Sequence, residues 1–319
     1  MSVGDAHRLV LRLLPAPMVA FLASCHRPLA RYLAARRHQD GPGGRFVRRV
    51  DPDDDLLHHG MRQLAEKGSA FRYYRSFEQY YGGGERNVSE IQSILAELGA
   101  PLGDAGSILE FACGHGRLTR HLARRVGPEK LTVSDIDRSA VDFVTSTFGV
   151  RGVYSTREPE QLVDDGRYDL ILVVSLFSHL PIQTWTRWLK RLNELLTPDG
   201  LLVFSTLPWQ AGDSPPIPDQ TDAFELGLLY SEQNETRGRL SGDEYGTSFV
   251  RRQFVLDAVE GNFTGRLIKH LPLALNGVQD VYVLQRQSNE VSGPAGTKYP
   301  SAIELSPAPR ATGSSCRRP

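Results

Sequence analysis

The chain lacks a charge of either sign in excess: 37 Lys and Arg stand against 37 Asp and Glu in 319 residues. Without a basic surplus there is no electrostatic footprint for a polyanion, so composition gives no case for a nucleic-acid partner. Cysteine is scarce, and Cys25, Cys113 and Cys316 lie too far apart for a disulfide framework or a zinc site. They fit a reducing, cytoplasmic setting. No histidines and carboxylates share metal-ligand spacing, so no metal is expected. Long apolar runs are missing too. Residues 9–33 alternate apolar residues and Arg, but Pro15, Pro17 and Pro28 break the pattern and Arg12, His26 and Arg31 interrupt it. That excludes a transmembrane helix, and the split stretch has no secretory cleavage signal. A short helix making peripheral membrane or partner contact is the alternative there to a loosely packed extension.

What remains is an ordinary globular composition, 40% hydrophobic, in three parts. Residues 1–54 read as an N-terminal extension, 55–287 as the folded domain, and 288–319, rich in Ser, Pro, Gly and Ala, as a disordered tail. The domain is organised around residues 107–123, SILEFACGHGRLTRHLA. Ile108, Leu109 and Phe111 suit a buried parallel strand. Gly114 and Gly116 let the backbone turn tightly and approach a ligand before a helix begins near Arg117. Strands at 131–135, 151–155, 168–174 and 200–206 then alternate with helices at 138–148 and 181–196, the pattern of βαβ units. A helix over 249–260 and strands near 266–270 and 278–284 close the domain.

A second apolar run, 131–134, ends in Asp135, placed to accept both hydroxyls of a ribose. Here the sequence resembles the class I S-adenosylmethionine-dependent methyltransferases. Their first motif is an acidic residue followed by three alternating glycines, and Glu110, Ala112, Gly114 and Gly116 occupy those positions. Ala112 departs from it. The strand end SLFSHLP, from Ser175 to Pro181, is similar to the family's fourth motif. The resemblance implies a Rossmann-like, seven-stranded, mostly parallel sheet with helices on both faces and an antiparallel last strand. It also implies S-adenosyl-L-methionine as cofactor, held by the loop of Glu110, Ala112, Cys113, Gly114, His115 and Gly116, by Asp135 and Ile136, and by Ser155, Thr156 and Ser175.

Ahead of the central motif, AFRYYRSFEQYY over 70–81 reads as a helix that Gly82, Gly83 and Gly84 stop, with Asn87 or Ser89 capping a second helix at 90–98. Such a helix in the resembled family closes over the methionine end of the cofactor, which makes Tyr73, Tyr74 and Arg75 candidate contacts. The competing reading packs these aromatics onto the sheet. His179 has two readings as well: a general base or acceptor-orienting group, because imidazole titrates near neutrality, or a residue packing the start of the next helix. Residues 207–245 form a long Pro- and Gly-containing stretch after the fifth strand, positioned as a lid that selects a small-molecule or saccharide acceptor. Asp135 would serve a nicotinamide cofactor equally well, so an NAD-dependent oxidoreductase and a non-catalytic cofactor-binding domain stay open beside the methyltransferase.

Overall fold

The computed structural model describes residues 50, 51, 53, 54, 56, 57, 72–209, 227–232 and 240–287, without the side chains of 72–78. The expected helix within 9–33 and the tail at 288–319 lie outside the described residues.

Five strands form a parallel core: β1 (Ile108–Phe111), β2 (Leu131–Asp135), β3 (Arg151–Tyr154), β4 (Tyr168–Val173) and β5 (Leu196–Pro208). Their order is β3-β2-β1-β4-β5, so the chain reverses direction across the sheet between β1 and β4. At the far edge β9 (Gln279–Arg286) pairs antiparallel with both β5 and β8 (Gly265–Leu275). These seven strands match the expected sheet.

The alternation of strand side chains separates two cores. Leu109, Phe111, Ile171, Val173 and Phe204 face α4 (Ile182–Glu194) and α5 (Arg252–Asn262), where Trp185, Trp188, Leu189, Val255 and Val259 close over them. Ile108, Leu131, Val133, Leu170, Leu172 and Val203 face the opposite way. There they meet α1 (Arg72–Glu97), α2 (Thr119–Val126) and α3 (Arg138–Phe148) through Val88, Ile91, Leu122, Phe143 and Val144. A period of two on each strand thus buries both faces under helices. No helix among the described residues is long and apolar enough to cross a membrane.

Four expectations change. Gly82, Gly83 and Gly84 do not stop a helix, because α1 runs unbroken from Arg72 to Glu97. Helix propensity penalises each glycine by about 1 kcal/mol, but packing requires one of them: a Cβ on Gly84 would lie 2.3 Å from the Arg117 carbonyl oxygen. Asn87 and Ser89 consequently sit inside α1 and cap nothing, and the Ser89 hydroxyl donates back to the Glu85 carbonyl.

The described part of the stretch at 207–245 is not wholly irregular. Its described portion includes β6 (Leu228–Ser231), antiparallel to β7 (Thr247–Val250), which pairs parallel with Leu207 and Pro208 at the end of β5. Among the described residues the sheet therefore holds nine strands, and Phe249 and Val250, expected to begin a helix, belong to β7. Their hydrogen bonds to β6 compete with helix formation, and α5 starts at Arg252 instead.

Candidate active site

The carboxyl ends of β1, β2 and β4 open at the reversal of strand order, the usual ligand position in an open α/β sheet. A cleft of about 1230 Å³ lies there. Its floor is the turn after β1. Cys113 N–H donates to the Ser134 carbonyl at 3.0 Å, fixing the turn to β2. Gly114 N–H donates to Asp135 Oδ2 at 2.8 Å and Asp137 N–H to Oδ1 at 2.9 Å. Each carboxylate oxygen keeps a further lone pair for a ligand. Burial raises the Asp135 carboxyl above its ordinary range, against the two backbone donors that lower it.

The two turn glycines have different duties. Gly114, at φ +51, faces open space, and a Cβ there would project toward the cleft it lines. Gly116, at φ +79, does not line the cleft: a Cβ would meet Phe148 Cε2 at 2.8 Å and Val144 Cγ2 at 3.1 Å. In this structure it packs against α3.

Ala112 holds φ +60 and Ser175 φ +69, at the ends of adjacent strands. Left-handed backbone costs a non-glycine residue roughly 1–2 kcal/mol, and such strain gathers at functional sites. The Ser175 backbone is held by Ser205 Oγ, which accepts its N–H at 2.9 Å, and its hydroxyl accepts from Gln279 Nε2 at 3.0 Å.

Glu110 is buried below the turn, where Thr119 Oγ1 donates to it at 2.6 Å. Burial pushes its carboxyl up to about 7, opposed by that hydrogen bond and by the nearby Arg117. Ile136 and His115 line the cleft, and the His115 ring is buried, its Nε2 without a hydrogen-bond partner among the described residues. Ser155 and Thr156 form the wall beyond β3, Ser155 N–H donating to the Asp135 carbonyl and Thr156 Oγ1 to the Glu158 carbonyl. Tyr74 and Arg75 lie in α1, and their side chains fall outside the described residues.

The opposite wall is built from two distant segments. Gly246 N–H donates to the His179 carbonyl and Ser248 N–H to the Ser178 carbonyl, at 2.9 and 2.7 Å. His179 Nδ1 lies 2.6 Å from the Gly246 carbonyl, and its ring stacks on Tyr245 with centroids 4.6 Å apart. A carbonyl only accepts, so Nδ1 carries the proton and Nε2 is the basic nitrogen, an assignment made from the pairing. The ring is thus tied to the β6–β7 hairpin and does not cap α4.

Residues that the sequence did not single out complete the cleft: Asp54, Leu56, Tyr80 and Arg117 at one end, Gln279 at the centre, and Glu232, Asp243 and Glu244 near the hairpin. Tyr230 and Tyr245 lie within the expected lid and do reach it. Asp54 carries no sequence signal, because only the fold brings it to the turn. Among the described residues no group of His, Cys, Asp and Glu is arranged to hold a metal ion.

A family described as "Methyltransferase domain" matches residues 84–253, just over half of the chain. The chain is similar to the biotin biosynthesis bifunctional protein BioCD of Bordetella avium (strain 197N). Identity is 32% over 151 residues, covering 45% of this chain and 31% of that protein. It is also 27% identical over 133 residues to (S)-coclaurine N-methyltransferase of Thalictrum flavum subsp. glaucum, covering 39% and 36%. The matched region spans about a third of each of these relatives. Among solved structures, magnesium protoporphyrin IX methyltransferase from Synechocystis PCC 6803, with bound SAH, is similar at 15% identity. That match covers 74% of this chain and 98% of that one, with a TM-score of 0.47. The family match sets aside the nicotinamide dehydrogenase: the chain belongs to the methyltransferase-domain family.

Proposed function

We propose that the protein transfers a methyl group to a small-molecule or saccharide acceptor seated between the turn after β1 and the β6–β7 hairpin. The residues fit the cofactor: a two-oxygen acceptor at Asp135, a cleft-facing glycine at Gly114, and a buried imidazole nitrogen at His115 without a hydrogen-bond partner among the described residues. In this reading Asp135 holds the ribose. Ser155, Thr156 and Ile136 border the adenine, and Glu110, Ala112, Cys113 and Ser175 shape the floor. When bound, S-adenosylmethionine supplies a methyl group on a sulfonium centre, whose positive charge is neutralised as the acceptor attacks in line.

The observation that carries the acceptor side is the bond between His179 Nδ1 and the Gly246 carbonyl. It fixes the tautomer with Nε2 basic, so His179 takes the proton that the acceptor loses. Alignment of the two reactants provides most of the rate, and the His179 wall supplies it on the acceptor side. Tyr245 and Tyr230 give this half of the cleft flat apolar faces beside carboxylates, a lining suited to a polar molecule with a ring or chain. In this reading the segment at 207–245, whose described part carries β6, selects the acceptor. Incubating the protein with methyl-labelled S-adenosylmethionine and a metabolite extract tests the proposal. Label should appear in a small organic or sugar fraction, and label confined to protein or nucleic acid would overturn the acceptor class.

A further inference from the structure

The hairpin side of the cleft carries mostly one sign of charge. Glu232, Asp243 and Glu244 line it together with the rings of Tyr230, Tyr245 and His179. Packing draws these groups onto one patch. A Cβ on Gly242 would lie 2.6 Å from Glu232 Cβ, and one on Gly246 would lie 2.7 Å from the Tyr230 hydroxyl. Glu232 and Tyr230 therefore rest against the same hairpin backbone that holds His179 Nδ1. Burial, and then Asp243, Glu232 and Glu244, push the Tyr230 phenol up to about 12, so all three carboxylates bear on that one ring. Hydrogen bonds from Ser241 hold Asp243 and Glu244 below the ordinary carboxylate range, which keeps both charged at neutral pH. Arg157 pairs with Glu244, while no cation among the described residues pairs with Glu232 or Asp243.

A wall with surplus negative charge discriminates among acceptor atoms. An oxygen or carbon acceptor is activated by drawing off a proton toward an anion, which nearby carboxylates oppose. A nitrogen acceptor arrives as a cation and becomes one again as it takes the methyl group. Carboxylates and the faces of tyrosine rings stabilise a cation at both stages. His179 supplies the remaining requirement, because an ammonium has no lone pair until a base removes a proton.

We infer that the acceptor is an amine of net positive charge, held as a cation by Glu232 and Asp243 beside the rings of Tyr230 and Tyr245. The inference rests on the acceptor reading of the cleft and names the substrate class within it. The ammonium passes a proton to His179 Nε2, and the freed lone pair forms the N–C bond as the C–S bond of the sulfonium breaks. The electron pair of that bond stays on sulfur. A methylated ammonium and S-adenosylhomocysteine are the products.

A metabolite extract split by ion exchange at neutral pH into cationic, neutral and anionic pools tests this. Each pool is incubated with the full chain and methyl-labelled S-adenosylmethionine. The cationic pool should take up label about tenfold faster than either of the others or more, into a product that a cation exchanger still retains. Label arising mainly from the neutral or anionic pool would overturn the amine and leave methyl transfer to another acceptor class. Label from no pool would overturn the acceptor reading, and the amine with it. Glu232→Gln combined with Asp243→Asn should raise the apparent KM, read against dilution of the cationic pool, about tenfold, with kcat and S-adenosylhomocysteine affinity within about twofold. An unchanged KM in a variant that melts normally would overturn the role of the carboxylates. Added salt should raise the wild-type KM in the same direction, because exposed charges are screened, and a KM independent of salt would count equally against it.

Discussion

The turn after β1 and the wall around His179 face each other across one cleft, but they are built in opposite ways. The turn is local: Cys113, Gly114, Asp135 and Asp137 lie within 25 positions and are joined by main-chain donors. The wall is distant: Ser178 and His179 meet Gly246 and Ser248 across 67 to 70 positions of chain. A turn built within one short window keeps its shape whatever distant segments do, and suits a ligand that stays the same. A wall assembled from distant segments and loops varies readily, and suits the partner that must be selected.

The sharpest break in that comparison should come from Asp135→Ala. Two charge-assisted hydrogen bonds to ligand hydroxyls, at about 1.5–3 kcal/mol each, put the loss of S-adenosylmethionine affinity at roughly a hundredfold or more. The variant also releases the N–H groups of Gly114 and Asp137. Calorimetry checks it, and an unchanged dissociation constant would refute the role. His179→Ala should do the converse. Turnover falls by about a hundredfold, the scale of general base catalysis, while cofactor affinity stays within twofold. A loss shared equally by binding and turnover would make the histidine structural.

Glu110 sharpens the comparison through pH. Its carboxyl is raised from an ordinary 4.5 to about 7 by burial, so the folded chain keeps the proton that the unfolded chain releases. Its contribution to stability is intact below the unfolded value, declines as pH climbs from 4.5 to about 7, and is then constant. The full loss amounts to up to about 3 kcal/mol at about 1.4 kcal/mol per unit. Glu110→Gln should therefore gain melting temperature over wild type as pH rises from 4.5 to 8, and a flat difference would contradict the assignment. Ala112→Gly has the smallest expected effect. Relief of left-handed strain, roughly 1–2 kcal/mol, exceeds the added chain entropy of about 0.5–1 kcal/mol. A slight stabilisation with unchanged cofactor affinity should appear in thermal melts and calorimetry, whereas a marked loss would show that the methyl is needed.

Most of the sheet was legible because its signals are local and repeat. The turn at 107–123, the acidic end of β2 and the amphipathic face of α4 each sit in one window of sequence. Three kinds of residue were not legible there. Gly84 has the composition of a helix stop and the position of a helix contact, and only Arg117, 33 positions on, distinguishes the two. Phe249 fits the apolar face of a helix, but the hydrogen bonds of β6 claim it for a strand. Asp54 stands in an acidic, turn-like run whose composition says solvent, and its burial depends on Tyr80 and Leu57 closing around it.

The approach of Gly84 to Arg117 also bears on how this protein would respond to stabilisation. Three consecutive glycines in an unbroken helix invite replacement by alanine, at a gain of about 1 kcal/mol each from propensity. At Gly82 and Gly83 the nearest atoms to a new methyl are arginine side-chain ends, at 3.7 and 3.5 Å, and the gain is open. At Gly84 the methyl would meet a backbone oxygen that cannot swing aside. The helix would have to lift from the turn and carry Tyr80 away from the cleft with it. The same three letters thus hold two positions where rigidity is free and one where it would be exchanged for the shape of the binding site.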